Sequence, residues 1–277
     1  MKKFLSFIIL ICIATLQVQS QYYYLDIIGT KQTNQQYKLI RTHQLKRINA
    51  TSFESNNQPS KDFMLEQIVA KDGGVIETKS ASVNSSPSSF ISYYENNRLA
   101  RTVDSGNTAI NTVTYNYDNA GRVVSINSIS KDFDGTFINA ETHTWMYNEK
   151  GLPVSMLKVK NQTDTTFVTF NYDEQDNVAE EIWKKNNRNT ETYYYYYNAK
   201  KQLTDIVRYS RKAKTMIPDY ILEYDNSGRV TEMRQTQAAS ANYLIWKYTY
   251  NDRGMKEKEY VFNKKKEFLG RIEYSYQ

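Results

Sequence analysis

Reactive side chains are scarce in this chain. Its 277 residues include two histidines, His43 and His143, one cysteine, Cys12, and thirty acids. A Ser-His-Asp set needs one of those histidines beside a nucleophile and an orienting acid. His143 shares its alternate positions with Trp145 and Tyr147, so it reads as a core residue rather than a base. Carboxylate pairs of the kind that hydrolyse glycosides, at roughly 5–10 Å separation, are not visible in one dimension. Most of the acids lie in repeated turns, where capping of backbone N–H groups accounts for them. Asp132-Phe133-Asp134-Gly135 has the opening of a calcium loop without the later oxygen ligands, and reads as a turn. The expectation is no enzyme: no catalytic residue, no cofactor and no metal site.

The amino terminus bounds where the chain works. Met1-Lys2-Lys3 is followed by an apolar run from Phe4 to Leu16 and by Val18-Gln19-Ser20, the pattern of a signal peptide spanning 1–20 with cleavage before Gln21. The apolar run is shorter than the roughly 20 residues that span a bilayer. Cys12 lies inside it, after the bulky Ile11, which disfavours a lipid anchor there. The mature chain then has no thiol, which excludes disulfides and cysteine metal sites. Losing two lysines and no acids lowers the formal charge from +6 to +4. No block of five or six like charges suggests a nucleic-acid partner. Lys264-Lys265-Lys266, closed by Glu267, reads as a solvated turn.

The elements that must position these groups are written as a repeat. Seven aromatic phrases close on Tyr117, Tyr147, Tyr172, Tyr197, Tyr224, Tyr250 and Tyr276, at spacings of 30, 25, 25, 27, 26 and 26 residues. A near-fixed period means one supersecondary unit copied. Each phrase is a triplet at alternate positions, such as Val113/Tyr115/Tyr117 or Tyr193/Tyr195/Tyr197, and 20 of the 21 triplet positions are apolar or aromatic. Ten of the 14 intervening residues are polar. Successive side chains on a strand point to opposite faces, so the pattern is a strand with one dry and one wet side. Asp118-Asn119-Ala120-Gly121-Arg122 and Asp225-Asn226-Ser227-Gly228-Arg229 then supply an Asx side chain for backbone N–H groups and a glycine for a left-handed residue. Return strands open at Val123, Leu152, Val178, Leu203, Val230 and Met255. Tyr93-Tyr94-Glu95-Asn96-Asn97-Arg98-Leu99 reads as an earlier copy with a shortened turn.

Tyr115-Asn116-Tyr117-Asp118-Asn119-Ala120-Gly121-Arg122-Val123 and Leu222-Glu223-Tyr224-Asp225-Asn226-Ser227-Gly228-Arg229-Val230 resemble the YD repeats of the Rhs (rearrangement hot spot) proteins, of the form Tyr-x-Tyr-Asp-x-x-Gly-Arg-Leu. The resemblance covers roughly residues 90–277, and two copies match throughout. It implies a continuous antiparallel sheet of stacked hairpins, which in large members coils into a shell around a toxic carboxy-terminal domain. With about seven copies and nothing after Tyr276 to house, this array is expected to be too short for such a cargo.

Residues 21–89 form a less regular amino-terminal β region, read as degenerate repeats or a cap on the array, or as a small separate domain. Tyr22 to Ile28, Tyr37 to Thr42, Met64 to Val69 and Val75 to Thr78 are strand candidates, Lys71-Asp72-Gly73-Gly74 is a hairpin turn, and Asn49–Lys61 and Ser80–Ser89 are loops. No helix is expected after Gln21. The fold class is therefore all-β: an antiparallel sheet of stacked YD-like hairpins over 90–277, curled or partly closed to hide its aromatic face. An outer-membrane barrel would need a continuous apolar outer band, which the polar face does not offer. The functional expectation is an exported protein, secreted, periplasmic or at the cell surface, binding a glycan or a protein through the outer face. It is expected not to be an integral membrane protein. Tyr194 and Tyr196 are the candidate contact residues, because they occupy outward positions that other repeats fill with Thr, Asn, Glu or Lys. A structural component that polymerises through open sheet edges and an extracellular hydrolase are the alternatives.

Overall fold

The computed structural model describes residues 22–82, 85–106, 108–210, 213–237 and 242–277. The expected signal peptide and Cys12 lie outside them. One helix, α1 (Tyr24–Thr42), precedes eighteen strands: β1 (Arg47–Glu54), β2 (Met64–Val69), β3 (Val75–Ser82), β4 (Ser85–Glu95), β5 (Arg98–Ser105), β6 (Ala109–Tyr117), β7 (Val123–Asp132), β8 (Ile138–Tyr147) and β9 (Pro153–Lys160), then β10 (Asp164–Tyr172), β11 (Val178–Lys185), β12 (Arg188–Tyr197), β13 (Leu203–Ser210), β14 (Thr215–Tyr224), β15 (Val230–Thr236), β16 (Tyr243–Tyr250), β17 (Lys256–Asn263) and β18 (Phe268–Tyr276).

Each strand pairs antiparallel with its sequence neighbours, and β1 pairs with both β2 and β18, so the sheet is a closed ring. The expectation of a curled or partly closed sheet falls short here. Closure follows from accumulated twist and from a bulge at six of the seven closing tyrosines, at Asn116/Tyr117, Met146/Tyr147, Asn171/Tyr172, Tyr196/Tyr197, Glu223/Tyr224 and Thr249/Tyr250. Each bulge bends its strand and steepens the twist. The ring leaves no edge on the described strands, which removes the physical basis for polymerisation through sheet edges.

The closing tyrosines have a single job, repeated seven times. Between β5 and β6 the pairing ends at Arg101 opposite Thr114, and the chains diverge towards the turns. The Tyr117 hydroxyl crosses that gap and donates to the Leu99 carbonyl at 2.8 Å. The same bond joins Tyr147 to Val123, Tyr172 to Pro153, Tyr197 to Val178, Tyr224 to Leu203, Tyr250 to Val230 and Tyr276 to Lys256. Each saves a backbone acceptor from burial without a partner. The turn residues complete the device. Asp118 accepts from the Arg122 N–H and guanidinium at 2.9 and 2.6 Å, and Gly121 takes φ +81°. The Arg122 guanidinium lies 4.8 Å over the ring of Tyr147 in the next repeat, as Arg229 does over Tyr250 at 4.6 Å.

Two sequence expectations about residues 21–89 are corrected. Tyr22 to Ile28 and Tyr37 to Thr42 are not strands: Tyr22 and Tyr23 lead into α1 and the remainder belongs to it. The apolar stripe Tyr23, Ile27, Thr30, Tyr37, Ile40 keeps a helical spacing, but Lys31, Gln32, Gln35, Gln36 and Lys38 are exposed and dilute it. The supposed loops are also partly strand, since β1 runs through Glu54, β3 through Ser82, and β4 starts at Ser85. Serine pairs such as Ser80–Ser88, at 2.9 Å, replace apolar contacts there. Met64–Val69 is β2 as expected, and Gly73 provides the left-handed residue of the next turn at φ +73°.

Helix α1 is enclosed by the ring. Its contacts come from inward positions on strands spread around more than half of it. Tyr22, Tyr23 and Tyr24 meet Tyr193, Trp183 and Tyr195, while Tyr37 stacks on Tyr94 at 3.7 Å and donates to the Gly73 carbonyl at 3.0 Å. The largest core cluster joins Tyr22 and Tyr23 to Trp145, Met156, Val168, Phe170, Tyr193 and Tyr195.

Tyr197→Phe is expected to cost about 1–1.5 kcal/mol, the net worth of one hydrogen bond, and to lower the thermal midpoint by roughly 2–5 °C at this chain length. Tyr196→Phe, one residue away on the wet face, is expected to leave it unchanged. Differential scanning calorimetry of the two variants checks the difference.

Candidate functional site

Two groups of residues are candidates: a buried ionic cluster between α1 and the wall, and an aromatic stripe with a groove on the outside.

The buried cluster begins with Glu181, an inward residue of β11 with no solvent exposure. Its carboxylate accepts from the backbone N–H of Tyr23 (2.9 Å) and Tyr24 (3.0 Å), from Trp183 Nε1 (2.5 Å) and from the Tyr195 hydroxyl (2.6 Å). A wall carboxylate therefore caps the amino terminus of the helix, where free N–H groups and the positive end of the macrodipole lie. Burial pushes the Glu181 carboxyl above the ordinary range despite these donors. Beside it, His143 Nδ1 bonds Asp26 of α1 at 2.6 Å and Nε2 bonds Glu141 at 3.0 Å, while Lys158 reaches Glu141 at 3.1 Å. Burial alone would lower the His143 pKa, but the two carboxylates outweigh it and hold the imidazolium up to about 9. Burial likewise opposes ionisation of Glu141, and His143 with Lys158 overcome it, taking the carboxyl down to about 2. A histidine with both ring nitrogens engaged and its charge fixed has no free lone pair for base chemistry. His43, the other histidine, sits at the carboxyl cap of α1. Asp219 joins the set from β14, receiving Arg208 at 2.9 Å and the Tyr22 hydroxyl.

Outside, Tyr194 and Tyr196 take the wet face of β12, as their phase requires. Tyr196 is 51% exposed opposite Asp205, and Tyr194 is half-buried between Glu180 and Val207. Sequence reasoning missed their neighbours. Tyr209 on β13, 49% exposed, and Met216 opposite it on β14 extend the stripe past Val207. The signal was there in the alternation of Asp205, Val207 and Tyr209, but only the register of β12 on β13 brings the two runs together. At about 3.4 Å per residue the three rings span roughly 14 Å. Thr204 ties the stripe to the rim by donating from Oγ1 to the Tyr196 carbonyl at 3.2 Å. Thr204 also lines a groove of about 450 Å³ between two turns, with Asn198, Gln202, Glu223 and Asn226.

The other motifs fold as turns. Asp132 accepts from Thr136 Oγ1 at 2.5 Å and from the Phe137 N–H at 3.0 Å, closing the β7–β8 hairpin on itself. Lys264, Lys265 and Lys266 form the β17–β18 turn, capped by Asn263. Among the described residues no cluster of three His, Cys, Asp or Glu side chains is placed to hold a metal ion.

No family model matches the sequence, and no curated protein matches it. Among solved structures, the chain is similar to a porin-like protein from Bacteroides uniformis, with 11% identity over 84% of this chain and 98% of that one and a TM-score of 0.40. A porin-like protein from Bacteroides vulgatus gives 12% identity, the same coverages and a TM-score of 0.31. The Tc holotoxin pore of Photorhabdus luminescens gives 11% identity over 78% of this chain and 12% of that one, with a TM-score of 0.36. Likeness at this level describes shape, and the functional reading rests on the residues of this chain.

The His143 pair sets a pH profile. A histidine raised to about 9 contributes stability in full below its ordinary 6.5 and loses it as the pH climbs through 9; Glu141, lowered to about 2, contributes above 4.5 and loses that as the pH falls towards 2. His143→Gln is therefore expected to cost about 3 kcal/mol near pH 6, with the deficit shrinking above pH 9. Urea unfolding of both proteins across that range measures it.

Proposed function

We propose that this chain is an exported, non-catalytic binding protein of the cell envelope that holds a glycan on the outer face of β12–β14. The observation that carries the reading is the row Tyr196, Tyr194, Tyr209 on a rigid sheet, continued by a groove of amide, hydroxyl and carboxylate groups. Ring faces stack on the C–H faces of sugars, and planar polar groups take their hydroxyls; both are presented here at little entropic cost because sheet pairing fixes the backbone. The length of the stripe suits a short oligosaccharide.

The interior favours binding outside over catalysis or transport within. Ring and helix consume the buried titratable groups in mutual bonds, which leaves His143 and Glu181 structural. Over β15–β18 and β1–β2 the outer surface is one for water. Arg47–Glu66, Lys247–Glu232–Arg234 and Lys258–Glu273–Arg271 are cross-strand ionic groups at outward positions. Each cation facing lipid at mid-bilayer would cost about 2–4 kcal/mol. Residues 1–20, with the composition of a signal peptide, supply the route out of the cytoplasm.

Tyr194→Ala with Tyr196→Ala is expected to weaken glycan binding about tenfold or more, as loss of two stacking rings should, while circular dichroism and the thermal midpoint hold. A glycan array followed by isothermal titration of the best oligosaccharide provides the measurement. Equal affinity of the wild type and the double variant for that oligosaccharide would refute the site.

A further inference from the structure

The end of the ring opposite the YD turns has its own character. Phe133, Phe137 and Ile138 are the three most exposed large apolar side chains among the described residues, at 60%, 61% and 54%, and all three belong to the β7–β8 hairpin. Register adds to them on the same outward face. Ile110 and Ile138 flank Lys131 in one cross-strand row, and Ile129 stands in the next. Asp132 is turned back into the hairpin by Thr136 and Phe137, so the phenyl rings lie at its tip rather than under a folded loop. An apolar cluster of this kind on a water-soluble surface marks a contact site.

Charge and size select the partner. The YD-end turns balance their acids locally, as in Asp118–Arg122, Lys150–Asp176 and Asp225–Arg229. At the opposite rim Lys184, Lys185 and Arg188 surround the β11–β12 turn, where Asp164 pairs with Lys185 and Glu191 follows on β12, and Lys264, Lys265 and Lys266 form the β17–β18 turn, with Glu267 closing it and Glu54 on the neighbouring strand. Of the two acids at the Phe133 tip, Asp132 and Asp134, the first is taken up by the hairpin's own hydrogen bonds. The β7–β8 and β17–β18 turns lie ten strands apart on a ring of eighteen, on roughly opposite sides. Both would touch a flat surface on which the ring stood, but no compact ligand could span them. Five apolar side chains on one hairpin and its neighbour are far fewer than the roughly 20–30 residues a side of a stable protein interface.

From this geometry we infer that the rim opposite the YD turns docks on an anionic lipid bilayer surface, with Phe133 and Phe137 entering the headgroup boundary and the basic turns meeting the lipid charge. Aromatic rings favour that boundary and lysines favour its negative potential. The chain stands on one surface of the bilayer and does not cross it, and Tyr194 and Tyr196, towards the Asx-turn end of the wall, remain free.

Sedimentation of the mature chain, residues 21–277, with vesicles of phosphatidylcholine and phosphatidylglycerol in equal parts tests this. The protein is expected to pellet with those vesicles, to pellet at least tenfold less with pure phosphatidylcholine, and to be released by salt. Phe133→Ser with Phe137→Ser, at the most exposed positions and so of little consequence for folding, is expected to reduce binding tenfold; Lys264→Gln, Lys265→Gln and Lys266→Gln together are expected to reduce its salt sensitivity. Absence of binding to the anionic vesicles, or equal binding by the phenylalanine double variant, would overturn the inference. So would a concentration-dependent dimer in analytical ultracentrifugation that the same double variant abolishes, since the tip would then serve a second copy. Tyr194→Ala with Tyr196→Ala is expected to leave vesicle binding intact, which separates this site from the glycan stripe.

Discussion

Neighbouring repeats in this ring splay apart at one end, and each gap exposes a backbone carbonyl that no strand reaches. The tyrosine hydroxyl that closes each repeat supplies the missing donor. Without it seven acceptors would be buried or half-buried unpaired, at about 1–3 kcal/mol each, a sum larger than the stability of most domains. The rest of the repeat follows from placing that ring. A bulge turns it inward, an Asx residue and a left-handed residue reverse the chain behind it, and in two copies an arginine held by the Asp carboxylate covers the ring of the adjoining copy. Tyr, Asp, Gly and Arg recur together because they are parts of one joint.

A ring of eighteen strands is too wide for its own side chains to fill, and α1 occupies the space. The helix is polar along one side and would be marginal alone in water. Inside the ring it gains a carboxylate cap from Glu181, an ion pair from Asp26 to His143, and stacking of Tyr37 on Tyr94. Asn34 of the helix accepts from the Leu99 N–H at 2.8 Å while Tyr117 serves the Leu99 carbonyl, so helix and tyrosine ladder share one residue. Wall and plug are thus mutually dependent, and the charged groups at their boundary bond one another across it.

The outer face of the ring is not uniform. Cross-strand ion pairs cover β15–β18 and β1–β2, whereas β6–β14 carry the exposed Tyr, Ile, Leu, Phe and Met residues. The aromatic stripe climbs the wall on β12–β14, from Tyr196 near the rim of the Asx turns to Tyr209 and Met216 near the other, while the phenylalanine hairpin belongs to β7 and β8, several strands away around the ring.

The sequence by itself determined the repeat, its turn chemistry and the direction each side chain faces, because a period of two along a strand and an Asx-Gly turn are local properties. It placed Tyr193 and Tyr195 inside and Tyr196 outside, and it placed His143 in the core. Closure of the ring, the helix within it and the partners of each buried charge were decided only in three dimensions. Whether β1 meets β18 depends on twist summed over the whole sheet. The segment from Tyr24 to Thr42, dilute in apolar residues, becomes a helix because Glu181, some 150 residues further on, caps its first turn. Tyr209 likewise joined Tyr194 and Tyr196 only through strand register, which no single stretch of chain encodes.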